Sequence, residues 1–147
     1  MPACFVVSEN QYALMEPRDG RWAALAVVKG GAAALLPPTR PVDEAGLEAA
    51  IQIAEDWLMP HARRLHGAVL EVNDATGRLK LGLDEVLSER RGEWTVEEFE
   101  GVFLQLLDMA TGRRAAPALQ GREQFIADVL MLRELAHHGQ VRAVRLV

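Results

Sequence analysis

Two histidines and a glutamate near residue 135 are the first side chains in this sequence that could do chemistry. Glu134 precedes His137 by three residues in the stretch LRELAHHGQV, residues 132–141. On a helix this spacing puts both side chains on one face, where they could share a metal ion or a proton. Gly139 offers a simpler explanation, because a glycine after the last turn commonly takes the left-handed conformation that ends a helix. His137 and His138 would then interact with the free carbonyl groups of that turn.

A metal site built on Glu134 and His137 would need one or two further ligands. His61 and His66 are available, but their separation of five residues does not place them on one helical face. Nothing in the sequence indicates that the segment with His61 and His66 lies near the segment with Glu134 and His137. We therefore predict ordinary helix ends, no metal site and no cofactor. The residues kept as candidate ligands are His61, His66, Glu134 and His137.

Other patterns that could mark a catalytic site are explained by local structure. Cys4 is the only cysteine, so no internal disulfide can form, and its apolar surroundings predict a buried thiol. The stretch VNDATG at 72–77 lacks the alternating acidic ligands of a calcium loop and is typical of a turn. Neither serine lies in a Gly-x-Ser-x-Gly motif. The tryptophans favour core packing over a ligand pocket: Trp22, Trp57 and Trp94.

The charge balance disfavours two classes of partner. The formal net charge is −5, and no run of Lys or Arg is longer than two residues, so nucleic acid and anionic membranes are not expected partners. Three arginine pairs are interpreted as solvated surface: Arg63–Arg64, Arg90–Arg91 and Arg113–Arg114. No secretory leader or long apolar run is present, which predicts a cytoplasmic protein. The richness in alanine, with arginine preferred to lysine, indicates a bacterial source.

Turn residues and apolar spacing predict the order of elements. Apolar runs separated by turns favour strands at 4–7, 11–16, 21–31 and 32–38. Helical spacing follows at 43–59, where Pro60 either ends or kinks the helix. A hairpin is predicted at 68–83, helices at 95–112 and 121–139, and a strand at 140–147. Thr95 and Glu98 match a capping box, and Trp94 precedes it.

This order predicts an α+β fold with two layers. The N-terminal meander, the hairpin and the C-terminal strand would form a mostly antiparallel sheet covered by about three helices. With 147 residues the chain is expected to form a single domain, residues 1–147.

The composition suggests two functions from different classes. The first is a non-enzymatic protein-interaction or regulatory adaptor module that forms a homodimer or binds another protein. The broad apolar surface of the last helix would be its interface, with Phe125, Val129, Met131 and Leu132. The alternative is a small ligand-binding protein or enzyme with a His/Glu site between sheet and helices, which would bind a small molecule.

Overall fold

A mixed six-stranded sheet organises the chain. The computed structural model describes residues 2–38, 42–87, 92–110 and 122–147. The strands are β1 (Ala3–Val7), β2 (Gln11–Arg18), β3 (Arg21–Lys29), β4 (Val69–Asp74), β5 (Glu93–Trp94) and β6 (Ala143–Leu146). The helices are α1 (Ala32–Leu35), α2 (Glu44–Leu58), α3 (Arg78–Leu87), α4 (Val96–Ala110) and α5 (Glu123–Gly139), with a 3-10 helix at Met59–Leu65.

The strands are arranged in the order β3-β2-β1-β4-β6-β5. The pairs β1–β2, β2–β3 and β5–β6 are antiparallel, whereas β1–β4 and β4–β6 are parallel. The predicted α+β class with a mostly antiparallel sheet is therefore confirmed, although the centre of the sheet is parallel. Within the described ranges, none of the helices combines the length and the apolar character that crossing a membrane requires.

The N-terminal meander forms where its turn residues predict it. Arg18 pairs with Arg21, so Asp19 and Gly20 alone connect β2 to β3. Both connecting residues have positive φ, 52° and 75°, as a two-residue type I′ hairpin turn requires. Asp–Gly is a favoured pair for this turn, because aspartate tolerates the left-handed conformation and glycine adopts it without strain.

Pro60 ends α2 and begins a tighter helix. The α-helical hydrogen bonds stop at Leu58, and the chain continues as the 3-10 helix with Pro60 in its first turn. Asp43 caps the start of α2, with its side chain accepting a hydrogen bond from the Gly46 amide at 2.8 Å. Gly67, with φ of 73°, follows the 3-10 helix and redirects the chain into β4.

Two predicted strands are helical instead. The second half of the predicted hairpin is α3, because Leu79 and Leu83 are buried at helical spacing while Leu81 between them is exposed. β4 consequently has no hairpin partner and pairs with β1 on one side and β6 on the other. The predicted strand at 32–38 begins with the short helix α1.

The start of α4 confirms the predicted capping box. The Glu98 amide donates to Thr95 Oγ1 at 3.2 Å, and the Thr95 amide donates to Glu98 Oε1 at 3.3 Å. Trp94 packs edge-on against Phe99, with ring centroids 5.9 Å apart, and so closes the predicted hydrophobic staple. The predicted stop at Gly112 lies outside the described residues.

The last helix, α5, is buried on several sides. The four residues proposed as an interface lie in the core of this chain: Phe125, Val129, Met131 and Leu132. The breadth of the apolar surface therefore reflects packing inside the chain. Gln140, with φ of 48°, takes the left-handed position predicted for Gly139. Gly139 is required for another reason, because an added Cβ would lie 2.7 Å from Leu65 Cδ1.

Candidate functional site

The carboxyl ends of the three parallel strands meet at one edge of the sheet. Val7 at the end of β1 is in register with Asp74 at the end of β4, and Val72 of β4 with Leu146 of β6. The Ala75 amide donates to the Val7 carbonyl at 3.0 Å, which holds the first of these turns against the second. In sheets with parallel strands this edge is the usual location of ligands.

Asp74 organises the turn between β4 and α3. Its Oδ1 accepts from the Thr76 amide at 3.0 Å and from Thr76 Oγ1 at 2.6 Å. Its Oδ2 accepts from the Leu79 amide at 2.9 Å and, more weakly, from the Lys80 amide at 3.4 Å. The free amides of the first turn of α3 are thereby satisfied by a carboxylate, as in an N-cap. The Leu79 and Lys80 amides are therefore not available to an anionic ligand.

A cavity of about 300 Å³ opens at this edge, and we call it the carboxyl-edge cavity. It is lined by Asp74, Gly77, Lys80, Leu81, Asp84, Leu146 and Val147. Lys80 is exposed, and among the described residues its ammonium group has no hydrogen-bond or ion-pair partner. Asp84 Oδ1 is buried without a hydrogen-bond partner. The cavity therefore combines two carboxylates and one unpaired amine with apolar walls.

A buried polar network fixes the elements around the carboxyl-edge cavity. Asp128 on α5 is fully buried and accepts from Tyr12 Oη at 2.5 Å. Arg78, the first residue of α3, donates to the same carboxylate from Nε at 2.7 Å and from Nη2 at 3.0 Å. Tyr12 is the second residue of β2, close to the turn that connects β1 and β2. The network thus ties that turn, the start of α3 and α5 to one carboxylate.

Burial governs the protonation of this network. It raises the pKa of the Asp128 carboxyl, and the hydrogen bonds from Arg78 and Tyr12 oppose that rise. It also raises the pKa of the Tyr12 hydroxyl, and the negative charge of Asp128 adds to the effect. The hydrogen bonds to Asp128 raise the pKa of Arg78, so the guanidinium stays charged. Tyr12 and Arg78 are therefore hydrogen-bond donors and do not exchange protons with a ligand near neutral pH.

A second cluster joins the ends of α2 and α5. His138 Nε2 lies 3.1 Å from Glu134 Oε2 and 3.2 Å from Glu55 Oε1. Candidate ligand atoms from these three residues all lie within 4.8 Å of one another. Glu134 is fully buried, whereas Glu55 and His138 are about one-third exposed, at 33% and 28% of their side chains.

Of the four sequence candidates, the structure brings only Glu134 into this cluster. His137 is exposed and points its ring at that of His138, with centroids 5.1 Å apart. His61 and His66 lie on and just after the 3-10 helix, and within the described residues neither imidazole makes a hydrogen bond or an ion pair. The partner of Glu134 is thus the histidine four residues later, rather than the one three residues later.

A larger cavity, of about 490 Å³, lies elsewhere in the described part of the chain. It is formed by α1, the segment after it and α2, and its walls are mostly Ala, Leu, Pro and Ile side chains. Its one carboxylate, Asp43, already caps α2. Without convergent polar groups this cavity has little to orient a ligand, so the carboxyl-edge cavity is the better candidate.

Lys80, Asp84 and Asp128 were not among the site candidates predicted from the sequence. A signal was present in VNDATG, because an acidic residue that ends a buried strand and precedes a helix is typical of a site at the carboxyl edge. This signal was missed because VNDATG was interpreted as the turn of a hairpin. The three tryptophans do not form a common pocket, because Trp22 is exposed while Trp57 and Trp94 pack on Phe5 and Phe99.

The fold is shared with a class of phosphatases, although the sequence gives no such match. No protein-family model matches this chain, and no curated protein matches it. Its structure is similar to an exopolyphosphatase from Cytophaga hutchinsonii, with a TM-score of 0.67 and 11% identity over 99% of this chain. It is also similar to the PPX-GPPA enzyme of Aquifex aeolicus, with a TM-score of 0.65 and 10% identity over 99% of this chain. An exopolyphosphatase-like protein gives a TM-score of 0.62 at 9% identity.

This chain spans about half the length of those structures. It covers 52% of the first two and 53% of the third. The likeness contradicts the prediction of a non-enzymatic adaptor module, because the whole described chain follows the architecture of enzymes. It supports the alternative, a ligand-binding protein or enzyme. The prediction was wrong because the apolar breadth of α5 was interpreted as a surface for a partner, whereas it packs inside this fold.

Proposed function

We propose that this chain is one domain of an enzyme that acts on a polyphosphate or another phosphoanhydride. Its binding site is the carboxyl-edge cavity. The observation that carries the proposal is the similarity of 99% of the chain to structures described as exopolyphosphatase and Ppx/GppA phosphatase. The cavity lies at the edge of the sheet where ligands of such folds bind.

The charges of the cavity favour a phosphate chain that arrives with a divalent cation. Asp74 and Asp84 would repel bare phosphates, and Lys80 compensates only one of their charges. Mg²⁺ is typically bound by one or two carboxylates together with substrate phosphates. In this proposal Asp84 contacts the accompanying cation and Lys80 pairs with a phosphate oxygen. Asp74 keeps the turn and α3 in place.

A complete active site needs groups beyond this chain. Phosphoryl transfer depends on charge placed on both sides of the reacting phosphate. The cavity supplies one wall, and a second domain, in the same protein or in another copy, would supply the other. We propose a cytoplasmic location and a phosphate-containing small molecule as the ligand.

Calorimetric titration with a short inorganic polyphosphate, with and without Mg²⁺, tests this proposal. We expect saturable binding that requires Mg²⁺ and weakens about tenfold in Lys80→Ala, the loss of one phosphate contact. Lys29→Ala is the matched control, because Lys29 is the other lysine of the chain and lies at the end of β3. The affinity of the Lys29→Ala variant for polyphosphate should equal that of the unmodified protein.

Release of inorganic phosphate from the same polymer measures activity. Binding with no release would support a binding domain that needs its second half. The absence of saturable binding in the unmodified protein, or equal weakening in both lysine variants, would rule the proposal out.

A further inference from the structure

We propose that Glu55, Glu134 and His138 form a binding site for a first-row divalent cation such as Zn²⁺. The site is independent of the proposed polyphosphate site. Ten residues of α5, about 15 Å along its axis, separate His138 from Asp128 of the buried network. The C-terminal end of α5 lies near the start of the parallel strands, since the Gly67 amide, just before β4, donates to the Gln140 carbonyl at 3.0 Å.

The chemistry of the three ligands suits such a cation. One imidazole nitrogen and two carboxylate oxygens are ligands that Zn²⁺ and its neighbours in the periodic table accept. Atoms bound to one Zn²⁺ at about 2.0–2.1 Å in tetrahedral geometry lie roughly 3.3 Å from each other. His138 Nε2 is 3.1 Å from Glu134 Oε2 and 3.2 Å from Glu55 Oε1. Small rotations of the side chains would therefore seat the ion.

Glu134 provides a second and independent indication. It is fully buried, and its Oε2 makes no hydrogen bond, although His138 Nε2 lies within ion-pair distance. Its Oε1 accepts from Arg133 Nη1 at 2.5 Å. His138 Nε2 is within hydrogen-bond distance of Glu55 Oε1, at 3.2 Å, whereas Glu134 Oε2 is left without a hydrogen-bond partner. A buried carboxylate oxygen without a partner is costly, and a cation would satisfy it.

The surrounding charges also call for a cation. Glu100 pairs with Arg133 through two hydrogen bonds of 2.8 and 3.1 Å, so that guanidinium serves two carboxylates. With a neutral imidazole, Glu55, Glu100, Glu134 and Arg133 carry a formal charge of −2 together. A divalent ion neutralises this charge. Glu55 and His138 are partly exposed, so the ion has a route from solvent.

Calorimetric titration of chelator-treated protein with Zn²⁺ tests the site, and the visible spectrum with Co²⁺ reports its ligand geometry. We expect one ion per chain and an affinity that falls about tenfold or more in His138→Gln. His137→Gln is the matched control, because this exposed neighbour is not among the proposed ligands. It should change the affinity by less than about twofold. Glu55→Gln removes a ligand at a partly exposed position and should also weaken binding.

Circular dichroism confirms that each variant is folded before its affinity is compared. If a protonated His138 alone bridges the two carboxylates, the unmodified protein will show no saturable Zn²⁺ binding. That result overturns the proposal, as does equal weakening in the two histidine variants. Because the titration contains no polyphosphate, its result is independent of the proposed enzymatic function. Lys80→Ala should therefore leave the Zn²⁺ affinity unchanged.

Discussion

Arg78 and Asp128 form a two-point ion pair inside the protein, with Nε–Oδ2 at 2.7 Å and Nη2–Oδ1 at 3.0 Å. Arg78 is the first residue of α3 and Asp128 lies in the second turn of α5, so the pair joins two helices from different parts of the chain. The Asp128 carboxylate is fully buried, and only the guanidinium balances its charge at this contact.

Replacing Arg78 by methionine should destabilise the fold by about 3–5 kcal/mol, because it leaves a buried carboxylate unpaired. Urea unfolding followed by circular dichroism measures this loss. Arg145→Met is the comparison, since Arg145 forms an exposed pair with Glu93 at 3.4 Å, and such pairs contribute about 1 kcal/mol or less. Similar losses of unfolding free energy in the two variants would show that the buried Arg78–Asp128 pair stabilises the fold no more than an exposed ion pair does.

Thr95→Ala should lower the free energy of unfolding by about 1 kcal/mol, because the Glu98 amide at the start of α4 loses its acceptor. Thr95→Ser keeps the hydroxyl and should restore most of this stability. Both values come from the same urea titration. A serine variant as unstable as the alanine variant would indicate that the threonine methyl group matters instead of the cap.

Gly139→Ala should destabilise the protein by about 1–3 kcal/mol, the usual range for overpacking a core. The added Cβ would lie 2.7 Å from Leu65 Cδ1 and 2.8 Å from Leu65 Cβ. Gly101→Ala, in the middle of α4, meets no atom within 4 Å and should stabilise the helix by up to about 1 kcal/mol. Thermal unfolding measures the change in stability of each variant relative to the unmodified protein. Changes of the same sign in Gly139→Ala and Gly101→Ala would contradict this prediction.

Glu100→Gln should make stability less dependent on pH in acid. The hydrogen bond from Arg133 lowers the pKa of Glu100 below its ordinary value of 4.5. The ionised Glu100 carboxylate therefore stabilises the folded state fully when the pH is above the pKa of Glu100 in the unfolded chain. This stabilisation is lost as the pH falls through the pKa of Glu100 in the folded protein.

Unfolding of the Glu100→Gln variant and of the unmodified protein between about pH 6 and 3 measures the difference. The decrease in stability should be smaller in the variant. Glu48→Gln, at an exposed position of α2, serves as the control. A steeper acid transition in Glu100→Gln than in the unmodified protein would contradict a lowered pKa of Glu100 in the folded state.

Local physics explains which elements could be predicted from the sequence. The Asp19–Gly20 turn, the Asp43 cap and the Thr95–Glu98 box each depend on residues a few positions apart. The segment at 78–83 could not be assigned locally, because Leu79, Leu81 and Leu83 fit both a strand and a helix. Its helical state depends on β4 having partners on both sides, which is a tertiary property. β5 has two residues and is too short to give a pattern.

Each of the two candidate sites also depends partly on local sequence and partly on tertiary packing. Glu134 could be selected as a candidate ligand because a histidine follows within one turn. Its contact with Glu55 depends on how α2 packs against α5, over 79 positions of sequence, and no local pattern reports that distance. The carboxyl-edge cavity likewise depends on β1, β4 and β6 being parallel neighbours. Sequence spacing reveals ligands on one element, whereas the packing of distant elements completes the site.

The position of β6 between β4 and β5 determines the order in which the molecule can fold as it is synthesised. The β1–β2–β3 meander and its pairing with β4 need only residues up to 74. β5 pairs with β6, which ends at Leu146, so β5 can join the sheet only after that strand has been synthesised. Until then β4 presents an unpaired edge to the surrounding solution, and this is the interval in which a nascent chain of this protein is most exposed to aggregation.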